Sequence, residues 1–176
     1  MFFLQMSGYP GSGKSTLARA ISKNTGAVVI DHDIVKSALL ESSESVIDPK
    51  VAGKISYTID WALADFHLSQ GHSVIFDSPC MYTEMLEKGT RLSEKYHAKY
   101  KYVECFLNDL YEVDRRLKTR ERMRSQVSEV PSEVLHTFKL SIDNSKSKRP
   151  SAPYLIVDTA QSLDRYFDEV MAYMNE

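Results

Sequence analysis

"GYPGSGKST" occupies residues 8–16, with the apolar run "FFLQM" (2–6) just ahead of it. Gly8, Gly13, Lys14 and Ser15 fall at the spacing G-x-x-x-x-G-K-S, the pattern of a loop that cradles phosphate. That loop needs a buried strand before it and a helix after it. "FFLQM" reads as the strand, and Leu17, Ala20 and Ile21 recur at helical spacing behind it. Glycines let backbone N–H groups converge on an anion, and the helix N-terminus adds its positive end. Gly8, Gly11, Ser12, Gly13, Lys14, Ser15 and Thr16 are therefore the expected phosphate-binding residues. Lys14 would reach the transferable phosphate, and the Ser15 hydroxyl would ligate Mg²⁺.

Outward from this loop, apolar strands alternate with helical stretches. "AVVID" (27–31), "SVIFD" (73–77), "YVECFL" (102–107) and "YLIVD" (154–158) read as buried strands. Between them run a short helical piece at Ile34, Val35, Ala38 and Leu39, then a helix opened by Asp48-Pro49 with a stripe of Ile55, Ile59, Leu63 and Phe66. A helix from about Thr83, a basic helix striped by Leu110, Val113 and Leu117, one opened by Pro131, and a last one striped by Val170 and Met174 follow. The pattern predicts an α/β fold: a five-stranded parallel sheet with helices on both faces, in a single domain over residues 1–176. Ligands of such sheets bind beyond the carboxyl ends of the strands. Asp31-His32-Asp33, Asp77-Ser78, Asn108-Asp109 and Asp158-Thr159 stand there; the last pair suggests an adenine wall.

The chain has 176 residues, of which 43% are hydrophobic and 26% charged, the balance of a globular protein. No apolar run approaches the ~18–20 residues that span a bilayer, and no signal peptide is recognisable. Cys80 and Cys105 form no metal-ligand spacing and read as reduced thiols, which predicts a cytoplasmic protein without membrane partners. The formal net charge of −2 gives no global field toward nucleic acid. Basic charge is concentrated instead in "RRLKTRERMR" (115–124), which suggests a local anionic ligand.

A GTPase would show Asn-Lys-x-Asp, and neither that nor Asp-x-x-Gly occurs; a motor ATPase would place Glu beside the strand-end Asp77, where Ser78 stands. A kinase fits "IDHDIVK" (30–36). In an extended segment Asp31 and Asp33 share a side while His32 points away, as a packing or surface residue. Asp33, across the cleft from the phosphate loop, could take the proton of an attacking hydroxyl, with Asp31 in support. Lys36 could hold an anionic group of the acceptor.

"GYPGSGKSTLA", "IDHDIVK" and "VIFDS" together resemble the P-loop kinases that include phage polynucleotide kinase, chloramphenicol phosphotransferase and the zeta toxins. The resemblance runs from about residue 3 to residue 160 and implies ATP and Mg²⁺. It places the catalytic Asp on Asp33, the basic substrate residue on Lys36, and the strand-end acid near Mg²⁺ or the acceptor on Asp77. It also implies a helical lid within about 110–131, where Arg116, Arg120 and Arg124 share an i, i+4 helix spacing. Arg120 would stabilise the transferring phosphoryl group and Arg116 would lie near ATP, with Arg115 a competing choice.

The expected activity is ATP-dependent phosphorylation of a hydroxyl on a small molecule or a nucleic-acid 5′ end. A nucleotide or cofactor kinase resembling dephospho-CoA kinase is the alternative within the class, and a non-catalytic ATP-binding regulatory or RNA-binding module the alternative outside it. Tyr57, Trp61, Pro79, Met81 and Tyr82 fall where an acceptor pocket would be shaped, although the same residue types also fill cores.

Overall fold

The computed structural model describes residues 1–42, 47–80, 82–130, 149–151 and 153–176. Its strands are β1 (Phe2–Ser7), β2 (Val28–Asp31), β3 (Val74–Asp77), β4 (Lys99–Phe106) and β5 (Leu155–Asp158). They form a five-stranded sheet in the order β2-β3-β1-β4-β5, and every pairing is parallel. The helices are α1 (Lys14–Thr25), α2 (His32–Ser42), α3 (Pro49–Ser69), α4 (Thr83–Lys95), α5 (Leu110–Thr119) and α6 (Phe167–Asn175), the last preceded by a 3₁₀ turn at Leu163–Arg165. The α/β sheet expected from the apolar runs is the one that forms. No helix of the described residues is long and apolar enough to cross a membrane.

Alternation along the strands builds two layers. On one face Leu4, Met6, Ile75, Val103, Cys105 and Val157 meet Leu17 and Ile21 of α1 and Val170 and Met174 of α6. On the other, Phe3, Val74, Phe76 and Tyr102 meet Trp61, Ala64 and Leu68 of α3 and Met85 and Leu86 of α4, with Cys80 among them. Trp61 is core: its ring stacks on Phe76 with centroids 4.2 Å apart. Cys80 and Cys105 are free, and burial pushes each thiol up to about 12.

Two elements depart from expectation for physical reasons. β4 starts at Lys99, ahead of the predicted Tyr102, because its lysines are satisfied by carbonyls at the end of α6. Lys99 Nζ donates to Glu176 O at 2.6 Å and Lys101 Nζ to Tyr173 O at 2.7 Å. The α3 stripe lies on the opposite side from the one predicted. Ile55, Ile59, Leu63 and Phe66 are exposed, Phe66 by 57%. The buried side is Ala52, Ser56, Asp60, Trp61, Ala64 and Leu68, a mixed face held by small residues, an aromatic ring and an internally paired acid. The α2 stripe shifts likewise: Ile34 and Ala38 are exposed, while His32 and Ser37 are buried. The helix expected from Pro131 and the position of Met81 lie outside the described residues.

Candidate active site

The carboxyl ends of the strands open into a cleft of about 1250 Å³. Its base is the loop between β1 and α1. Gly13 is the N-cap of α1 in left-handed backbone, φ 90°, which an L side chain rarely adopts. Gly8 has φ 132°, and a Cβ there would collide with the Cys105 carbonyl. Gly8 and Ser12 therefore stand behind the loop, whereas Gly11, Gly13, Lys14, Ser15 and Thr16 line the cleft. Ser12 Oγ is buried without a hydrogen-bond partner. Lys14 Nζ donates to the Tyr9 carbonyl at 3.1 Å, a link internal to the loop.

Two acids meet at the ends of neighbouring strands, since Asp31 of β2 is in register with Asp77 of β3. Burial, then the charges of Asp77 and Asp33, raise the Asp31 carboxyl from 3.8 to about 6. Burial also raises Asp77, opposed by the Lys14 charge and the Ser15 hydroxyl. Asp77 Oδ2 is buried with no partner. Such an oxygen beside Ser15 fits a divalent cation that takes its remaining ligands from phosphate and water, as Mg²⁺ does in nucleotide sites. Among the described residues no cluster of His, Cys, Asp and Glu could hold a metal ion alone.

The segment after β2 is not extended through Asp33 as the sequence suggested; α2 begins at His32. Asp31 takes the capping position, its Oδ1 accepting from the Asp33 N–H at 3.0 Å, a stronger local arrangement than a polar strand end. His32 therefore does not point away. It lines the cleft, stacks on Tyr57 with centroids 3.9 Å apart, and its Nδ1 donates to the buried Asp60 at 2.6 Å. A carboxylate partner places the ring proton on Nδ1. Asp33 is on the first turn of α2, lines the cleft and is partly exposed. Its Oδ2 accepts from Gln126 Nε2 at 2.9 Å, and Ser125 Oγ donates to its backbone carbonyl at 3.1 Å.

The remaining wall comes from α5 and the segment after it. α5 ends at Thr119, and Arg120 has extended backbone, so Arg116, Arg120 and Arg124 do not share a helix face. The described part of the expected lid is thus one helix followed by irregular chain, because Arg120 breaks the pattern to donate Nη2 to Val127 O at 2.9 Å. Arg120 Nε is buried and unpartnered, and burial lowers the guanidinium's pKa. Arg116 bridges Glu112 and the Thr159 carbonyl at 2.7 and 2.8 Å. Both arginines line the cleft, as do Thr159 and Leu163 past β5. Arg115 is paired bidentately with Glu112 outside it. Arg115 and Arg116 together pull the Glu112 carboxyl down to about 2.

Lys36, Tyr57, Pro79 and Tyr82 line the cleft as well. Sequence reasoning missed Gln126, Ser125 and the His32–Asp60 pair as members of the site. The first two follow the basic run with no motif, and Asp60 hides as the polar member of a helix. The one available signal was His32 itself, a lone histidine between two acids.

A family profile described as an AAA domain matches residues 4–144. The chain belongs to this AAA domain family. The match names neither polynucleotide kinase, chloramphenicol phosphotransferase nor zeta toxin. No curated protein matches the chain. Among solved structures, this AAA domain is similar to a candidate kinase from Chloroflexus aurantiacus j-10-fl, at 16% identity, TM-score 0.74, covering 98% of this chain and 97% of that one. It is also similar to the Mycobacterium tuberculosis APS kinase in complex with AMPPNP and APS, at 18% identity, TM-score 0.65, with 99% and 98% covered. Shikimate kinase from Aquifex aeolicus vf5 matches at 16% identity, TM-score 0.63, with 99% and 96% covered. At these identities the shared property is the fold, a P-loop kinase-like α/β sheet.

Proposed function

We propose that the protein is a kinase that transfers the γ-phosphoryl group of ATP to a hydroxyl of a small molecule. The observation that carries this reading is Asp33, a partly exposed carboxylate in the same cleft as Lys14, Asp77, Arg116 and Arg120. Binding of ATP alone needs no base opposite the phosphate loop. The APS, shikimate and sugar kinases among the structural neighbours support a small-molecule acceptor by analogy.

In this reading the loop amides and Lys14 hold the phosphates, and Thr159 and Leu163 flank the nucleotide base. Ser15 and Asp77 would hold Mg²⁺, which supplies charge neutralisation at the phosphate oxygens. The acceptor oxygen bonds to the γ-phosphorus, the bond from that phosphorus to the β,γ-bridging oxygen breaks, and ADP leaves with the electron pair. The hydroxyl proton passes to Asp33, which Gln126 orients. Arg120, with its unpaired Nε, stabilises the charge on the moving group.

Asp33→Asn is nearly isosteric and keeps the oxygen that accepts from Gln126. It is expected to preserve ATP affinity and folding while cutting phosphoryl transfer by about 10²–10⁴-fold, measured as ADP release across an acceptor panel. Unchanged turnover in the folded variant removes the base from the mechanism.

A further inference from the structure

Beyond Asp33 the cleft carries a concentration of positive charge that phosphoryl transfer from ATP does not require. Lys36 lies on α2 one turn after Asp33, Lys50 and Lys54 lie one turn apart on α3, and all three line the cleft. The two helices meet beside Gly53, where an added Cβ would stand 3.9 Å from Lys36 Nζ. Pro49, Lys50, Gly53, Lys54 and Tyr57 form the cleft-facing side of α3.

Among the described residues no carboxylate pairs with Lys36, Lys50 or Lys54. Lys95 and Lys118, by contrast, are paired, with Asp65 and Asp114, each at 2.7 Å, whereas Lys23 and Lys88, without a carboxylate partner among the described residues, are exposed outside this cleft. Ammonium groups that line one cleft repel unless an anion sits among them. The acids of the cleft, Asp31, Asp33, Asp77 and Glu121, line it together with the lysines. Asp31 and Asp77, at the strand ends beside the phosphate loop, face cations of their own in Arg19 and Lys14, which leaves the lysines of α2 and α3 without them.

We infer that the lysine end is an anion subsite, and that the acceptor is an alcohol bearing a carboxylate or phosphoryl group close to the hydroxyl to be phosphorylated. The word acceptor rests on the kinase reading; the anion subsite does not. Residues three apart on a helix hold their Cβ atoms roughly 5–6 Å apart. A hydroxyl at Asp33 and an anionic group at Lys36 are therefore served from neighbouring turns of one helix. The local charges orient the molecule, since the anion is drawn to the lysines and repelled by Asp33, which leaves the hydroxyl facing the base.

The test is calorimetric titration of the protein saturated with AMPPNP and Mg²⁺, so that the phosphate loop is already filled. Inorganic phosphate should bind, and the Lys50→Gln/Lys54→Gln variant should weaken it by about 10-fold or more, the loss expected from removing charge-assisted hydrogen bonds. Both side chains are exposed, and the single variants, each with part of the loss, guard against a misfolded double one. No phosphate binding, or binding indifferent to these changes, overturns the subsite. D-glycerate and glycerol 3-phosphate are then compared with glycerol on the same complex. At least about 10-fold tighter binding of one anion supports the acceptor class and tells carboxylate from phosphoryl; equal or absent binding overturns it. Failure of the kinase reading would show separately, as no ATP consumption with any of the three, and leaves these affinities untouched.

Discussion

The two ends of the cleft are built by different means. At the nucleotide end, one continuous stretch from Gly8 to Thr16 provides backbone N–H groups, a lysine and a hydroxyl, fixed by left-handed glycines against β4 and α5. At the acceptor end the groups come from separate elements: His32 and Lys36 from α2, Lys50 and Tyr57 from α3, Tyr82 ahead of α4, Gln126 from the chain after α5. The first end reads phosphate, whose shape is constant, with main chain. In the proposed reaction the second would read the acceptor, and it is lined with side chains. A backbone cradle is tied to local sequence, whereas a side-chain pocket depends on tertiary packing alone.

This contrast predicts separable effects. The largest belongs to Lys14→Ala, which should reduce phosphoryl transfer by about 10³-fold with little change in melting temperature, because Lys14 Nζ serves ligand charge and one loop carbonyl. The same variant should leave inorganic phosphate binding at the lysine end unaltered; a joint loss, seen by calorimetry, would mean the two ends act as one site. Arg120→Ala should lower kcat by roughly 10²-fold, the scale of one preorganised transition-state charge, and should change acceptor affinity little. If Arg116→Ala proves the more damaging in single-turnover measurements, the phosphoryl-stabilising charge lies at the Thr159 bridge instead.

The smallest effect is on stability. The Asp31 carboxyl rises from 3.8 to about 6 on folding, so between those values the folded chain binds more protons than the unfolded one. Its contribution is present in full below the lower value and is lost as pH rises through the upper one. Asp31→Asn removes that loss. Its melting temperature relative to wild type should gain ~2–4 °C on going from about pH 4.5 to about pH 7. A constant difference across that range would show that Arg19, 3.8 Å from the carboxylate, already offsets the burial.

The sequence disclosed the nucleotide end because its geometry is encoded in adjacent residues. The strands were legible for a related reason: a strand buried on both faces is a continuous apolar run, as in β1 and β3, and the edge strands β2 and β5 keep such a run although β5 is half exposed. β4 was clipped because lysines satisfied by distant carbonyls look like a loop. On α3 the helical period was legible but its phase was not. Four apolar residues on one side outweigh, in a pattern, the Ala, Ser, Asp and Trp that are actually buried. The place of Asp33 in the cleft was legible from its spacing after β2, although the expected geometry, a shared strand side with Asp31, was replaced by a helix start. The His32–Asp60 pair joins residues from two helices, and no local pattern announces it.

The two buried thiols sit one in each layer of the fold: Cys105 among the residues that back the phosphate loop, Cys80 among those that seat α3. Burial holds both thiols protonated at neutral pH and out of reach of an alkylating reagent until the layer opens. Labelling rates would therefore time two openings independently, one that dismantles the phosphate cradle and one that dismantles the lysine wall. A nucleotide should slow the first clock and an anion the second, which turns a pair of inert core cysteines into a gauge of how firmly each half of the cleft is held.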